Sequence, residues 1–365
     1  MNENTVVVVG GGIAGLSFAV RYHQLGGRAE IYERGPHAHN GGIGFILLEN
    51  GLKALERLVA RAAVEHVGNK ISDVELKDEH GKILLFQRME HALGIKRKAL
   101  LEILASFIPN DMIHIGKEFS HFDFDTNGLA KKAFFKHGEA VESVAFLGCD
   151  GIRSKVREKI FPDTSLEQVK VKEIVSIVHS PAIAGQLGCR FVKSHLNAGG
   201  LAVGCVPSGS DEVIWYLQFD ATRYSFKDDT GAGRRMFAEH ALARFPEPFP
   251  TLVRSTDFST SYLWHNTYLN PVPSLYKNNV ALVGDAGHAM LSFTSQGVSA
   301  AVEDAMLLAE LLYDLPTAAW HLAFELYSIK RRNVVLSFLE QGIEIQENFL
   351  APVPHTGTVK VPFAS

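Results

Sequence analysis

The sequence predicts an α/β protein: a discontinuous domain built on a parallel sheet, with a mainly β-sheet domain inserted into it. Three observations predict this. Near the N-terminus, Val6-Val7-Val8-Val9 runs into Gly10-Gly11-Gly12-Ile13-Ala14-Gly15, a helical pattern follows to Leu25, and Ala29-Glu30-Ile31-Tyr32 returns as a strand. Residues 172–219 are strand-rich and punctuated by Pro181 and Pro207. The C-terminal third returns to a buried strand, Val280 to Val283, followed by long helical patterns.

Each element has a local reason. Val6 to Val9 is all β-branched, as befits a strand buried on both faces of a parallel sheet. Ile13, Leu16 and Val20 fall on one side of the expected helix from Ile13 to Leu25. A glycine loop, Gly41-Gly42-Ile43-Gly44, precedes an expected helix from Glu49 to Val59. Residues 72–88 alternate as strands, and Ile95 to Ile108 reads as a helix. Ile174 to Val178, Leu201 to Cys205 and Val213 to Leu217 read as strands of an antiparallel or mixed sheet with one wetter face. Helices are expected from Gly297 to Leu312 and from His321 towards Asn348. The resulting division assigns 1–70, 93–165 and 271–349 to the discontinuous domain, 71–92 and 166–270 to the insertion, and 350–365 to a tail.

Composition excludes several classes. The chain has 365 residues, 46% hydrophobic and 21% charged, ordinary values for a globular protein with a large core. A net charge of −4 gives no basic footprint for nucleic acid. Cys149, Cys189 and Cys205 have no metal or redox spacing, which favours a reducing cytoplasm over a disulfide framework. The apolar start is expected to be strand and helix rather than a signal peptide, because Met1-Asn2-Glu3-Asn4 is not basic and no clean cleavage site follows. No apolar run is long enough to span a bilayer.

The glycine motif carries chemistry. Gly10 permits a tight turn, Gly12 lets the backbone approach a pyrophosphate, and Gly15 lets helix and strand pack closely. The helix N-terminus, with Ile13 and Ala14, presents free amides to phosphate. Glu33 ends the second strand, with Arg34 after it, where a carboxylate binds ribose hydroxyls and repels a 2′-phosphate. This is a Rossmann-like dinucleotide site of NAD or FAD type, not NADP.

Two further stretches carry a family resemblance. Gly148-Cys149-Asp150-Gly151, with Ser154 and Arg157, resembles the DG motif of the single-component (class A) flavoprotein monooxygenases, typified by 4-hydroxybenzoate hydroxylase and kynurenine monooxygenase. Gly284-Asp285, continuing to Glu303-Asp304-Ala305, is similar to their GD motif, and Arg97 to the arginine beside their flavin. Lys330-Arg331-Arg332 resembles the basic patch after the family's tyrosine, Tyr327 here, and reads otherwise as a solvated helix face. The resemblance implies a GR2-type flavoprotein fold with FAD as cofactor. Asp150 would serve the pyrophosphate side, though a turn role before Gly151 competes. Asp285 would bind sugar hydroxyls, while Gln296, Gly297 and Val298 would place helix amides near the pyrimidine edge of the flavin. It also implies NADH or NADPH as transient reductant, dioxygen addition at flavin C4a, and oxygen transfer from the flavin hydroperoxide to an aromatic ring. No catalytic side chain is needed, and His288 is read as a packing residue.

The third motif departs from the family at Ser292 (usually proline), Ser295 (glycine) and Ser299 (asparagine). Hydroxyls in this loop keep open an oxidase or reductase without oxygen insertion, and a non-enzymatic flavin-binding maturation factor. The loop Phe293-Thr294-Ser295-Gln296-Gly297 also resembles flavoproteins that mature quinone-cofactor amino-acid oxidases, implying a tryptophan of a partner-protein precursor as the alternative to a small aromatic substrate. Trp215, Leu217, Ser292, Phe293 and Thr294 are the expected substrate-pocket residues.

Overall fold

The computed structural model describes residues 5–35 and 43–353. The N-terminal strand is Thr5–Val9, and the order of the six-stranded sheet around it explains why distant motifs meet. That order is Tyr276–Lys277, Val280–Leu282, Phe146–Gly148, Thr5–Val9, Arg28–Glu33 and Ile113–Ile115. All pairs are parallel except the first. Thr5–Val9, Phe146–Gly148 and Val280–Leu282 are therefore neighbours with their C-terminal ends on one side, where α/β sheets hold ligands. Helix Ile13–Gln24 packs against helix Gly297–Asp314 over this sheet.

An eight-stranded sheet runs Tyr262–Leu269, Leu166–His179, Glu212–Asp220, Leu201–Ser208, Arg190–His195, Asn69–Asp78, Ile83–Lys96 and Gly44–Leu47. It is mixed: Arg190–His195 lies parallel to Asn69–Asp78 and the other pairs are antiparallel. Helices Pro181–Leu187, Gly231–Ala241 and Phe249–Ser255 close a core over one face, with Trp215, Leu217 and Phe219. A small antiparallel sheet, Phe119–Phe124, Ala130–Phe135 and Ala140–Glu142, caps the other side of the parallel sheet. The last helix spans Trp320–Leu350.

The expected helix from Ile95 begins instead at Arg97, because the strand Ile83–Lys96 continues through residues 95 and 96. The small sheet and the three short covering helices had no strong periodic signal, being too short to show one. Among the described residues, no helix is long and apolar enough to cross a membrane.

Candidate cofactor and substrate site

The glycine loop is shaped by close approach. Gly10 has φ +108° and a Cβ there would lie 2.4 Å from the Cys149 carbonyl oxygen, so the two motif-bearing strands can meet only at glycine. A Cβ on Gly15 would lie 2.1 Å from the Gly10 oxygen. Glu33 is buried and accepts Gly11 N–H at 2.7 Å and Gly35 N–H at 3.0 Å, holding the loop as well as facing it. Arg34 is exposed.

A cavity of about 410 Å³ begins here, lined by Gly12, Ile13, Ala14, Arg97, Asp285, Gly297 and Val298. Arg97 has a buried Nε with no hydrogen-bond partner among the described residues. Desolvation lowers its pKa against the opposing charges of Asp285 and Glu33. A buried guanidinium nitrogen without a partner is costly and calls for an anionic or polar ligand. Gly297 opens an 18-residue helix whose N-terminus faces the same space. The glycine loop at residues 41 and 42 lies outside the described residues.

The other motif residues act by holding backbone. Asp150 does not line the cavity; its carboxylate accepts Ser154 Oγ at 2.5 Å, Lys155 N–H at 2.7 Å and Val156 N–H at 3.1 Å, capping the helix Lys155–Ile160. The turn role is the one its geometry expresses, and its neighbours Cys149, Gly151 and Ile152 line the cavity instead. Arg157 ties the second motif to the third, donating to the Ile152 oxygen at 2.8 Å and the Ala286 oxygen at 3.0 Å. Gly284 has φ +62°, and a Cβ there would come within 3.0 Å of Ala301 Cβ. Gln296 is buried with its Oε1 accepting Asn50 Nδ2 at 2.9 Å, so its side chain braces the helix start from outside the cavity.

Beneath Gly284, Asp304 is fully buried and accepts the Gly284 N–H at 3.1 Å, Arg331 Nε at 2.6 Å, and a short hydrogen bond from His288 Nε2. Burial pushes the Asp304 carboxyl up, but His288 and Arg331 outweigh it and hold its pKa down to about 2. For His288, desolvation is outweighed by Asp304, and its pKa ends raised. Arg331 is buried, not a solvated face, and Tyr327 Oη donates to the Leu282 oxygen at 2.8 Å.

The far half of the cavity corrects the expected pocket. Strand Glu212–Asp220 turns Trp215 and Leu217 into the helix-covered core, where Trp215 Nε1 donates to Thr256 Oγ1 at 3.0 Å. Ile214, Tyr216 and Gln218 face the cavity instead. Both faces of this strand carry apolar residues, so alternation alone did not fix which was inward. Phe293 and Thr294 are buried, Phe293 packing against Phe349, while Ser292 and Ser295 line the cavity. The sequence reading missed Glu173, which lies in the cavity wall opposite Gln218. A lone carboxylate between apolar residues at Val171 and Ile174 was its only signal. Its Oε1 accepts Ser292 Oγ at 2.6 Å, Asn266 Nδ2 at 2.7 Å and Gln218 Nε2 at 2.9 Å. Lys193 Nζ, fully buried, donates to Gln218 Oε1 at 2.7 Å, and burial lowers its pKa to about 8. At the rim, Tyr262 and Trp264 are exposed on the edge strand.

Comparison with known proteins agrees with this geometry. The profile of a family described as an FAD binding domain matches residues 3–341. The chain belongs to this family. Monooxygenase 2 of Arabidopsis thaliana is 26% identical over 318 residues, covering 84% of this chain and 76% of its own. Klebsiella pneumoniae HpxO, complexed with FAD and uric acid, matches the fold with TM-score 0.86 at 19% identity, covering 96% of this chain and 89% of that one. Pseudomonas aeruginosa PqsL, complexed with 2-aminobenzoylacetate, does so with TM-score 0.83 at 20% identity, covering 95% and 97%. FAD is the cofactor of this family member, and it is an FAD-dependent oxidoreductase of the monooxygenase group. The unpartnered Nε of Arg97 and the glycine cradle suit a pyrophosphate, and the open helix start at Gly297 suits an electron-rich ring edge.

Proposed function

We propose that the protein uses NADH or NADPH and dioxygen to hydroxylate an electron-rich aromatic ring. The observation carrying this reading is the single cavity that joins the glycine cradle to an apolar wall of Val175, Val206, Ile214 and Tyr216. In this reading Gly10, Gly12, Ile13, Ala14, Gly15, Glu33, Arg97, Asp285, Gly297 and Val298 hold FAD. Asp150, Gly284 and Gln296 set the backbone around it. When bound, FAD supplies electron transfer from nicotinamide and activation of dioxygen; the protein orients the ring and excludes water. The sequence has one dinucleotide fingerprint, which supports transient rather than resident nicotinamide.

Domain organisation follows the same reading, with 1–70, 93–165 and 271–349 binding FAD and 71–92 and 166–270 selecting substrate. Three free cysteines support a cytoplasmic protein.

A second substrate reading is a tryptophan side chain of a partner-protein precursor during quinone-cofactor biogenesis. The exposed Tyr262 and Trp264 at the cavity rim favour it, since a protein substrate needs an apolar landing beside the opening. The test is turnover of an aromatic panel under isotopically labelled dioxygen, read by mass spectrometry. Labelled product is expected. Nicotinamide consumption with peroxide release and no labelled product from any aromatic, free or in a peptide, overturns the reading in favour of an oxidase or reductase.

A further inference from the structure

Glu173 is anomalous for its surroundings. It sits on the strand Leu166–His179, second from one edge of the eight-stranded sheet, is 6% exposed, and has apolar cavity neighbours at Val175, Val206 and Ile214. A buried carboxylate is expensive, and a well-packed apolar residue would serve stability as well or better. Yet three elements converge to hold it: Gln218 from the neighbouring strand, Asn266 from the edge strand, and Ser292 from the loop ahead of Gly297. All three donate to Oε1. Oε2 makes no hydrogen bond with the described residues, and the residue borders the cavity.

The polarity of the support is fixed from behind. Lys193 donates to Gln218 Oε1, so the Gln218 amide must turn its NH₂ towards Glu173. Tyr216, Phe293 and Phe349 rings surround the Lys193 ammonium at 5.6–5.9 Å and keep it in place. The hydroxyl of Ser292, which stands where the resembled family has proline, is one of the three donors. The arrangement therefore presents one oriented acceptor to whatever enters the cavity, and a carboxylate is acceptor-only.

We propose that Glu173 is the specificity-determining residue of the cavity: its Oε2 accepts a hydrogen bond from a ring N–H or O–H, selecting indole- or phenol-type rings over isosteres without a donor. This rests on the aromatic-substrate reading above. A site built to bond an N–H rejects the analogue lacking it, because its own polar group is left unpaired.

The test uses FAD-loaded protein and three bicyclic probes of similar size in titration calorimetry: indole (a donor), benzothiophene (neither) and quinoline (an acceptor). The wild type is expected to prefer indole over the other two by about tenfold or more, the equivalent of one charge-assisted hydrogen bond. In Glu173→Gln, the same three donors hold the amide oxygen at the Oε1 position and turn its NH₂ into the cavity. The preference should invert, with quinoline bound better than indole. Equal loss for all three probes would mean that Glu173 merely supports the fold, and overturns the proposal. So does equal wild-type affinity for indole and benzothiophene, a comparison that needs no variant. Failure of all three to bind the wild type would overturn the aromatic-substrate reading itself, a distinct outcome.

Discussion

Replacing Asp304 by asparagine removes one buried charge and leaves Arg331, still paired with Glu303 at 2.8 Å, and His288, whose pKa Asp304 raises, facing a neutral amide of similar volume. The structure sets a lower magnitude. Asp304 is held at about 2 against an ordinary 3.8, a depression of nearly two units, or about 2 kcal/mol favouring the ionised form at neutral pH. The upper magnitude is the cost of breaking a buried pair by removing one partner, about 3–5 kcal/mol. At roughly 2 °C per kcal/mol for a large chain, Asp304→Asn should lower Tm by about 4–10 °C. Because Asp304 also receives the Gly284 N–H, the variant should lose FAD affinity too. Thermal scans with and without added FAD read both effects. The pH dependence supplies an internal control. A carboxylate whose folded pKa is depressed contributes above its unfolded value and loses that contribution as pH falls through the folded one. The Tm gap between wild type and variant should therefore shrink between about pH 4 and pH 2. A drop below about 1 °C at pH 7, with unchanged FAD affinity, would refute the reasoning.

Other variants separate the two halves of the cavity. Arg97→Met should weaken FAD binding by about tenfold or more while changing the FAD-free Tm little, because desolvation of the guanidinium, whose Nε has no hydrogen-bond partner, offsets its attraction to Asp285 and Glu33; flavin titration and scanning fluorimetry check this. Trp215→Phe should cost about 1 kcal/mol through loss of the hydrogen bond to Thr256 Oγ1, whose own hydroxyl still donates to the Leu252 oxygen at 2.8 Å, with aromatic-ligand affinity unaltered, since Trp215 faces the helix-covered core; denaturant melts and ligand titration check this. Gly284→Ala forces φ +62° on a side chain that meets Ala301 and Ala14, and should destabilise by about 1–3 kcal/mol as judged by denaturant melts.

The parallel-sheet half was legible because its signals are local and sterically strict. Gly10 and Gly15 stand where a Cβ would clash, Gly12 lines the cavity, and the run from Val6 to Val9 is buried on both sides. Asp150 was harder: an aspartate before glycine reads equally as a ligand or a cap, and only the three donors around it show which contacts it makes. Arg331 looked like surface because Lys330 and Arg332 flank it; its burial depends on Asp304, which comes from another helix. The strand-rich block failed at its parity. Trp215 and Tyr216 are both aromatic, so which of them entered the cavity depended on three helices laid over one face, Pro181–Leu187, Gly231–Ala241 and Phe249–Ser255. Glu173 acquires meaning only through Gln218, Asn266 and Ser292, which are 45, 93 and 119 positions away.

The strand order of the parallel sheet has a consequence for how the protein matures. Thr5–Val9 acquires its neighbour Phe146–Gly148 only after some 140 residues have been made, and that strand in turn waits for Val280–Leu282. Arg331, which clamps the helix beneath Gly284, comes later still. Such long-range closures are slow and must precede the contacts that reward them. The glycine loop is thus synthesised before the strands that flank it and completed last. Cofactor capture then serves as a late checkpoint: chains ending before the Arg331 helix should emerge colourless, and the yellow of bound flavin should report that the whole sheet has closed.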